Sequence, residues 1–163
     1  MKYYYGVKSR QHLLNCLDKI LKVFGGGERG YRLMLGTCAT ETHCGTFPDS
    51  HPEHSGVGVG QCDQICLDDV QMHIRPKDRA RLNDIGYNID RVVLKDLAYN
   101  PTLALAIMRL KYKRVPEALP MIGDLQGLAN YWKDHYNSHH PNAAGTPERF
   151  VEDWNAHMPD FYV

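Results

Sequence analysis

Three kinds of chemistry stand side by side in residues 38–63, which read CATETHCGTFPDSHPEHSGVGVGQCD. An acid, Glu41, lies close to a histidine, a set of cysteines and histidines follows, and a glycine run, GVGVG, comes near the end. These features correspond to general acid catalysis, metal binding and phosphate binding, respectively. The residues around each feature, and the elements that carry them, decide among the three.

The glycine run is the weakest of the three signals. A phosphate-binding loop follows a buried strand and opens a helix in a βαβ unit, whereas PDSHPEHS precedes this run and no βαβ pattern is present. Glycine also lets a chain lie against another group without a Cβ in the way. We therefore expect Gly58 and Gly60 to allow close approach to a bound ligand.

The cysteines and histidines offer ligands for zinc. The set comprises Cys44, His51, His54, Cys62 and Cys66. Its spacings differ from the CxxC pairs of common structural zinc sites, and Cys66 lies between Ile65 and Val70 on a predicted helix, where it would face the core. We expect buried cysteines and exposed loop histidines, with no bound metal or other cofactor. A zinc-dependent hydrolase that uses this loop is an alternative.

The acid is the strongest signal. Residues 33–40, LMLGTCAT, bring no cation close to Glu41, so burial would raise the pKa of its carboxyl towards a value useful for donating a proton. A donor of this kind suits glycoside cleavage, in which the leaving oxygen is protonated while an oxocarbenium-like sugar forms.

The elements that must position Glu41 are mostly helices. Ser9 is a suitable N-cap for a helix with a regular apolar stripe, which a GGG run ends. A second, largely buried helix over residues 30–42 carries Glu41 in its last turn. Other helices are predicted over residues 64–73, from residue 76, over 101–115, over 124–137 and from residue 146. Residues 45–60 form a long irregular Cys/His/Gly-rich loop.

The composition limits the class of protein. The chain of 163 residues fits one domain, 1–163, and its 19 basic and 19 acidic side chains produce no net field that would attract nucleic acid or a membrane. No segment approaches the roughly 20 apolar residues of a membrane span, and MKYYYGVKSRQ contains no signal-peptide core. Five cysteines, an odd number, indicate synthesis in a reducing compartment. We expect a soluble, mostly α single domain.

The motifs, in this order, resemble those of the soluble lytic transglycosylase and goose-type lysozyme superfamily. In that superfamily a catalytic Glu, usually followed by Ser, ends a buried helix, and a later G-L-M-Q motif lines the sugar cleft. The corresponding residues here are Glu41-Thr42 and Gly58-Val59-Gly60-Gln61. Gly60 stands in place of the methionine that packs on the sugar.

Two later motifs extend the resemblance over residues 31–154. YNPTLALAIMRLKY is similar to the helix behind the cleft, and Tyr136-Asn137 resembles the Tyr-Asn pair whose tyrosine approaches the acid. RLMLGT near the acid and YWKDHYN late in the chain are similar to segments of small phage proteins that carry this domain.

The resemblance implies a lysozyme-like domain that cleaves peptidoglycan glycan strands between N-acetylmuramic acid and N-acetylglucosamine. Glu41 would be the proton donor. The residues expected at the sugar subsites are Gly58, Gly60, Gln61, Tyr136 and Asn137, with Tyr136 also positioned to orient the acid. The phage likeness implies synthesis in a bacterial cytoplasm, action on the cell wall and phage virion proteins as partners. A non-catalytic virion component that binds glycan is a second alternative.

Asp63 bears on whether the reaction ends in hydrolysis or in an anhydro product. Goose-type lysozymes carry an aspartate two residues after the motif glutamine, and Asp63 holds that place here. An inverting hydrolase needs a second carboxylate roughly 6.5–9.5 Å from the acid, and Asp49 or Glu53 would be less direct helpers. Asp63 would also serve as the N-cap of the helix over residues 64–73. We expect hydrolysis, with Asp63 as the second carboxylate, rather than transglycosylation to an anhydro product.

Overall fold

The computed structural model describes residues 1–48, 56–137 and 144–161, apart from the side chain of residue 160. The described residues contain seven α-helices and no β-strand. The helices are α1 (Arg10–Phe24), α2 (Gly27–Thr42), α3 (Gln64–His73), α4 (Pro76–Asp84), α5 (Pro101–Lys113), α6 (Leu125–His135) and α7 (Pro147–His157). Three short 3₁₀ helices cover Ile89–Arg91, Leu94–Leu97 and Met158–Asp160. The predicted mostly α fold is confirmed, whereas the single lysozyme-like domain stays a prediction.

Most helices begin where the sequence predicts, because polar side chains cap them. Ser9 accepts a hydrogen bond from the backbone N–H of His12, and Thr146 accepts one from that of Arg149. The helix α2 begins three residues earlier than expected, because Gly26, with φ of 124°, completes the turn after α1. The helix α5 ends before Val115, which precedes a proline and is therefore disfavoured in helical conformation.

The centre of the fold is α5. Its residues from Leu103 to Tyr112 are all buried, and it packs against α1, α2 and α3. The two cations on this buried stretch both have partners: Arg109 donates from Nε to the carbonyl oxygen of Gly25 at 2.6 Å, and Lys111 donates from Nζ to Asp69 at 3.1 Å. A helix that is buried on all sides must satisfy its charged groups internally, and α5 does so.

The C-terminal half of α2 packs closely against α7. A Cβ added at Gly36 would lie 2.5 Å from Cζ of Phe150 and 3.0 Å from Cε3 of Trp154, so only glycine allows this approach. The helix is buried from Leu33 to Ala39. This packing sets the position of the last turn of α2, which carries Glu41.

The irregular loop predicted over residues 45–60 is described only at its two ends, so its centre stays a prediction. Asp49, His51, Glu53 and His54 lie outside the described residues. None of the described helices is long and apolar enough to cross a membrane.

Candidate functional site

Glu41 lies in the last turn of α2, and its side chain is half-buried. Trp132, on α6, donates from Nε1 to Oε1 of Glu41 at 3.1 Å, and the Asn137 side chain is a second hydrogen-bond partner. In the part of the chain that the structure describes, no cation forms a salt bridge with this carboxyl. The prediction that Glu41 has no nearby cation therefore agrees with the structure.

The environment of Glu41 favours the protonated carboxyl. Burial raises its pKa to about 8 from an ordinary value of 4.5. The hydrogen bond from Trp132 opposes this shift, the negative charges of Asp63 and Asp153 add to it, and the bond from Asn137 opposes it again. The prediction that burial raises this pKa is confirmed.

Thr42 connects the end of α2 to the GVGQ turn, residues 58–61. Its buried hydroxyl donates to the carbonyl oxygen of Val59 at 2.7 Å and accepts from the backbone N–H of Gly45 at 3.2 Å. Thr42 follows Glu41 directly, so this contact places the turn beside the acid. A hydroxyl residue after the acid thus has a structural reason in this fold.

The glycines of the GVGQ turn approach other parts of the protein. A Cβ at Gly58, where φ is +78°, would lie 2.5 Å from the carbonyl oxygen of Leu97, and one at Gly60 would overlap Cε of Met108. Both glycines are buried. The close approach predicted for them is therefore made to Leu97 and Met108, and contact with a ligand stays a prediction.

Gln61 closes the same turn. It has a positive φ of 48°, which is uncommon for a residue other than glycine, and its Nε2 donates to the carbonyl oxygen of Gly58 at 3.0 Å. The flanking residues Val57 and Cys62 pair as an isolated antiparallel bridge. The half-buried amide of Gln61 is thereby held at a defined position, while its role in sugar binding stays a prediction.

Tyr136 is a further residue that holds the GVGQ turn in place. Its hydroxyl donates to the carbonyl oxygen of Gly60 at 2.7 Å, and its ring stacks on that of Tyr112 with centroids 5.3 Å apart. Burial is the main cause of a strongly raised pKa at Tyr136, and the charge of Glu41 contributes, so the two side chains share one environment. Tyr136 positions the turn, whereas Asn137, expected at a sugar subsite, bonds with the acid.

The residue that sequence reasoning missed is Trp132. Its periodicity with Leu125 and Leu128 placed it on the apolar face of α6, and it is indeed buried. A buried indole N–H usually has a hydrogen-bond partner, which was the signal for a polar role. The partner is Glu41, 91 residues earlier in the chain.

Asp63 caps α3, as the sequence predicts. Its Oδ1 accepts a hydrogen bond from the backbone N–H of Cys66 at 2.8 Å. Its charge also raises the pKa of Glu41, so the two carboxyl groups interact electrostatically. The cap is confirmed, and a part for Asp63 in hydrolysis stays a prediction.

The cysteines of the stretch are buried and unpaired, as expected. Burial raises the pKa of the Cys44 thiol, and a hydrogen bond between Cys62 and Cys66 together with burial raises that of Cys62. Among the described residues, no cysteine belongs to a group of three potential metal ligands.

A cluster of His43, Asp153 and His157 lies next to Glu41 and was not predicted. Nε2 of His43 is 3.5 Å from Oδ1 of Asp153, and the rings of His43 and His157 stack with centroids 4.4 Å apart. Arg149 donates from Nε to Oδ2 of Asp153 at 2.8 Å. The sequence signal was the four-residue spacing of Asp153 and His157, which places both on one face of a helix.

Comparisons of this chain with protein-family models, with curated proteins and with solved structures give no significant match.

Proposed function

We propose that this protein cleaves the glycan strands of peptidoglycan, with Glu41 as the general acid. The observation that carries this proposal is the environment of the Glu41 carboxyl, which is half-buried and hydrogen-bonded to Trp132 without a cationic partner among the described residues. Its pKa of about 8 keeps it largely protonated near neutral pH. A protonated carboxyl that solvent can reach is the group that glycoside cleavage requires.

The substrate class comes from the sequence resemblance to lytic transglycosylases and goose-type lysozymes. That resemblance pairs the acid with the GVGQ turn, and the hydrogen bonds Thr42–Val59 and Tyr136–Gly60 support the pairing. The expected bond lies between N-acetylmuramic acid and N-acetylglucosamine. We further propose that the protein is made in the cytoplasm of a phage-infected bacterium and acts on the cell wall, alone or with virion proteins.

The first step is proton transfer from Glu41 to the glycosidic oxygen as the bond from that oxygen to the sugar C1 breaks. The leaving sugar departs as an alcohol, C1 gains oxocarbenium character and Glu41 becomes a carboxylate. The N–H of Trp132 then stabilises this carboxylate, because a hydrogen bond to the charged form lowers the pKa. Burial thus keeps the proton on Glu41 before the step, and Trp132 favours its release during the step.

The second step supplies a nucleophile to C1. In our proposal Asp63 takes a proton from a water molecule as the water oxygen bonds to C1, which gives a reducing end. Without a second carboxylate, the 6-hydroxyl of the muramic acid would attack C1 instead. Its proton would return to Glu41, and the product would be an anhydro sugar.

Glu41→Gln tests the acid. The substitution is nearly isosteric, and we expect it to lower the rate of release of soluble fragments from purified cell walls by at least roughly 10²–10⁴-fold. Glu28→Gln is the matched control, because Glu28 lies on the same helix, is exposed and pairs with Arg32 one turn later. Cleavage by Glu41→Gln at the rate of the unmodified protein would show that another group is the acid.

Asp63→Asn tests the second carboxylate. Asparagine caps helices as well as aspartate does, so this variant removes the charge and keeps the start of α3. We expect a loss of reducing ends in mass spectra of the released muropeptides, with circular dichroism unchanged. A predominance of 1,6-anhydro ends from the unmodified protein would contradict the role of Asp63 and leave Glu41 as both acid and base.

One observation favours a non-catalytic protein that binds glycan in a virion. The third position of the GVGQ turn has no side chain to pack on a sugar, and the methyl group of Met108 fills the adjacent space. Sedimentation with cell walls without release of fragments, equal for the unmodified protein and Glu41→Gln, would support this second function. The zinc-hydrolase alternative stays a prediction, because His51 and His54 lie outside the described residues.

A further inference from the structure

We propose that His43, Asp153 and His157 form a binding site for a divalent transition metal, with zinc as the metal that fits them best. Each residue offers one ligand atom, and the three atoms lie within 4.8 Å of one another. Two imidazoles and one carboxylate are a common zinc ligand set, in which water or another ligand takes the fourth position. This site shares no residue with the Cys/His set of the loop.

The fold brings the three ligands together from two helices. His43 is the C-cap of α2 and has a left-handed backbone with φ of 48°, while Asp153 and His157 are four residues apart on α7. The close packing of α2 on α7 at Gly36 holds the two helices in this arrangement. The site would therefore depend on tertiary structure that is already rigid without metal.

The carboxylate of Asp153 is oriented for coordination. Arg149 binds its Oδ2 at 2.8 Å, which leaves Oδ1 directed at Nε2 of His43. Hydrogen bonds of this kind orient ligating carboxylates in known metal sites. The guanidinium charge opposes a cation, but the Arg149 side chain is 57% exposed, so solvent and salt screen it.

An ion can reach the site from solvent. Asp153 is buried, whereas His43 and His157 are half-buried and keep part of their rings accessible. An ion bound here would connect the end of α2 to α7. Because it would bind the folded chain and not the unfolded one, it would raise the melting temperature by an amount that grows with the logarithm of its concentration.

Isothermal titration of the full chain, stripped of metals with EDTA and then titrated with Zn²⁺, tests this proposal. We expect one equivalent to bind, and the melting temperature to rise with Zn²⁺ but not with Mg²⁺, which prefers oxygen ligands. His43→Gln and His157→Gln should each weaken zinc binding by at least about 10-fold, the size of effect seen when the support of a ligand is lost.

The matched control is His73→Gln. Asp69 and His73 on α3 have the same four-residue spacing as Asp153 and His157, and Nδ1 of His73 is 3.3 Å from Asp69, but in the described residues no second imidazole joins them. We expect His73→Gln to bind zinc as the unmodified protein does. Circular dichroism of each variant checks that it is folded.

Two results would overturn the proposal. One is zinc affinity that is the same in the unmodified protein and in the double variant His43→Gln/His157→Gln. The other is loss of binding in His51→Gln/His54→Gln together with full binding in His157→Gln, which would assign the metal to the loop. Neither result depends on cell-wall cleavage, so the metal site and the proposed function are tested separately.

Discussion

Two shielded carboxyl groups, Glu41 and Asp69, have opposite surroundings. Burial raises the pKa of Glu41 to about 8, and its hydrogen-bond partner on α6 is the neutral N–H of Trp132. Burial would also raise the pKa of Asp69, but the hydrogen bond and charge of Lys111, with the charge of Arg114, hold it below its ordinary value. Burial without a cationic partner thus favours the protonated form of Glu41, whereas nearby cations outweigh the smaller burial of Asp69 and favour its carboxylate.

The contrast distinguishes an acid that stabilises the fold from an acid that is suited to proton donation. Asp69 joins α3 to the buried cation of α5 and contributes to stability as a carboxylate. Glu41 has no such partner among the described residues, so its ionisation in the folded state is unfavourable. Groups whose ionisation is unfavourable in the folded state are common at functional sites, because function and stability make different demands on a residue.

The largest expected effect on stability comes from Glu41→Gln. Because the pKa of Glu41 is higher in the folded state than its ordinary value of 4.5, the free energy of unfolding should fall as the pH rises from 4.5 to about 8. The Gln variant lacks this loss and should be more stable at pH 8 by about 2–4 kcal/mol, since each pKa unit corresponds to about 1.4 kcal/mol.

Urea unfolding of both proteins at pH 4, 6 and 8, with EDTA present to exclude bound metal, measures this difference. The two free energies should converge near pH 4, where Glu41 is protonated in both states. An equal dependence on pH in the two proteins would show that Glu41 ionises normally and would remove the contrast with Asp69.

Asp69→Asn should change the free energy of unfolding in the opposite direction. It leaves Lys111, whose side chain is only 7% exposed, without its anionic partner, and should lower the free energy of unfolding at pH 7 by about 1–3 kcal/mol. Because the pKa of Asp69 is lowered in the folded state, this contribution should begin to decrease as the pH falls below about 4, and should be lost only below that lowered pKa. Urea unfolding at pH 7 and pH 3.5 provides the measurement.

Asp90→Asn is the control for this effect. Asp90 pairs with Arg79 at 2.6 Å, but both side chains are exposed, so its loss should change stability by less than about 1 kcal/mol. Equal effects of the two substitutions would mean that the buried pair contributes no more than a surface one.

A smaller effect than that of Asp69→Asn is expected at the contact between α2 and the GVGQ turn. Thr42→Val removes the hydroxyl that donates to Val59 and should cost about 1–2 kcal/mol, since a buried carbonyl oxygen loses its donor. Thr40→Val is the matched control, because its hydroxyl donates to the carbonyl oxygen of Gly36 within the same helix. If both variants unfold at the same urea concentration, the turn is not held by Thr42.

Local features of the chain were predictable because their interactions span only a few residues. The caps at Ser9 and Asp63 bond to backbone N–H groups three positions later, so the starts of α1 and α3 follow from adjacent residue types. The absence of a cation in residues 33–40 likewise predicted that the pKa of Glu41 would be raised, as it is in the structure. The mostly α fold follows from apolar residues that recur at helical spacing along the chain.

Only the tertiary structure decided which distant groups meet at the end of α2. Trp132 is 91 residues from Glu41, Tyr136 reaches the carbonyl oxygen of Gly60, and His43 lies against two residues of α7. These contacts depend on how α2, α6 and α7 pack on one another, and periodicity indicates which face of a helix is buried but not which side chain lies opposite. The residue types in this sequence therefore determined the acid, whereas the packing of the helices determined its partners.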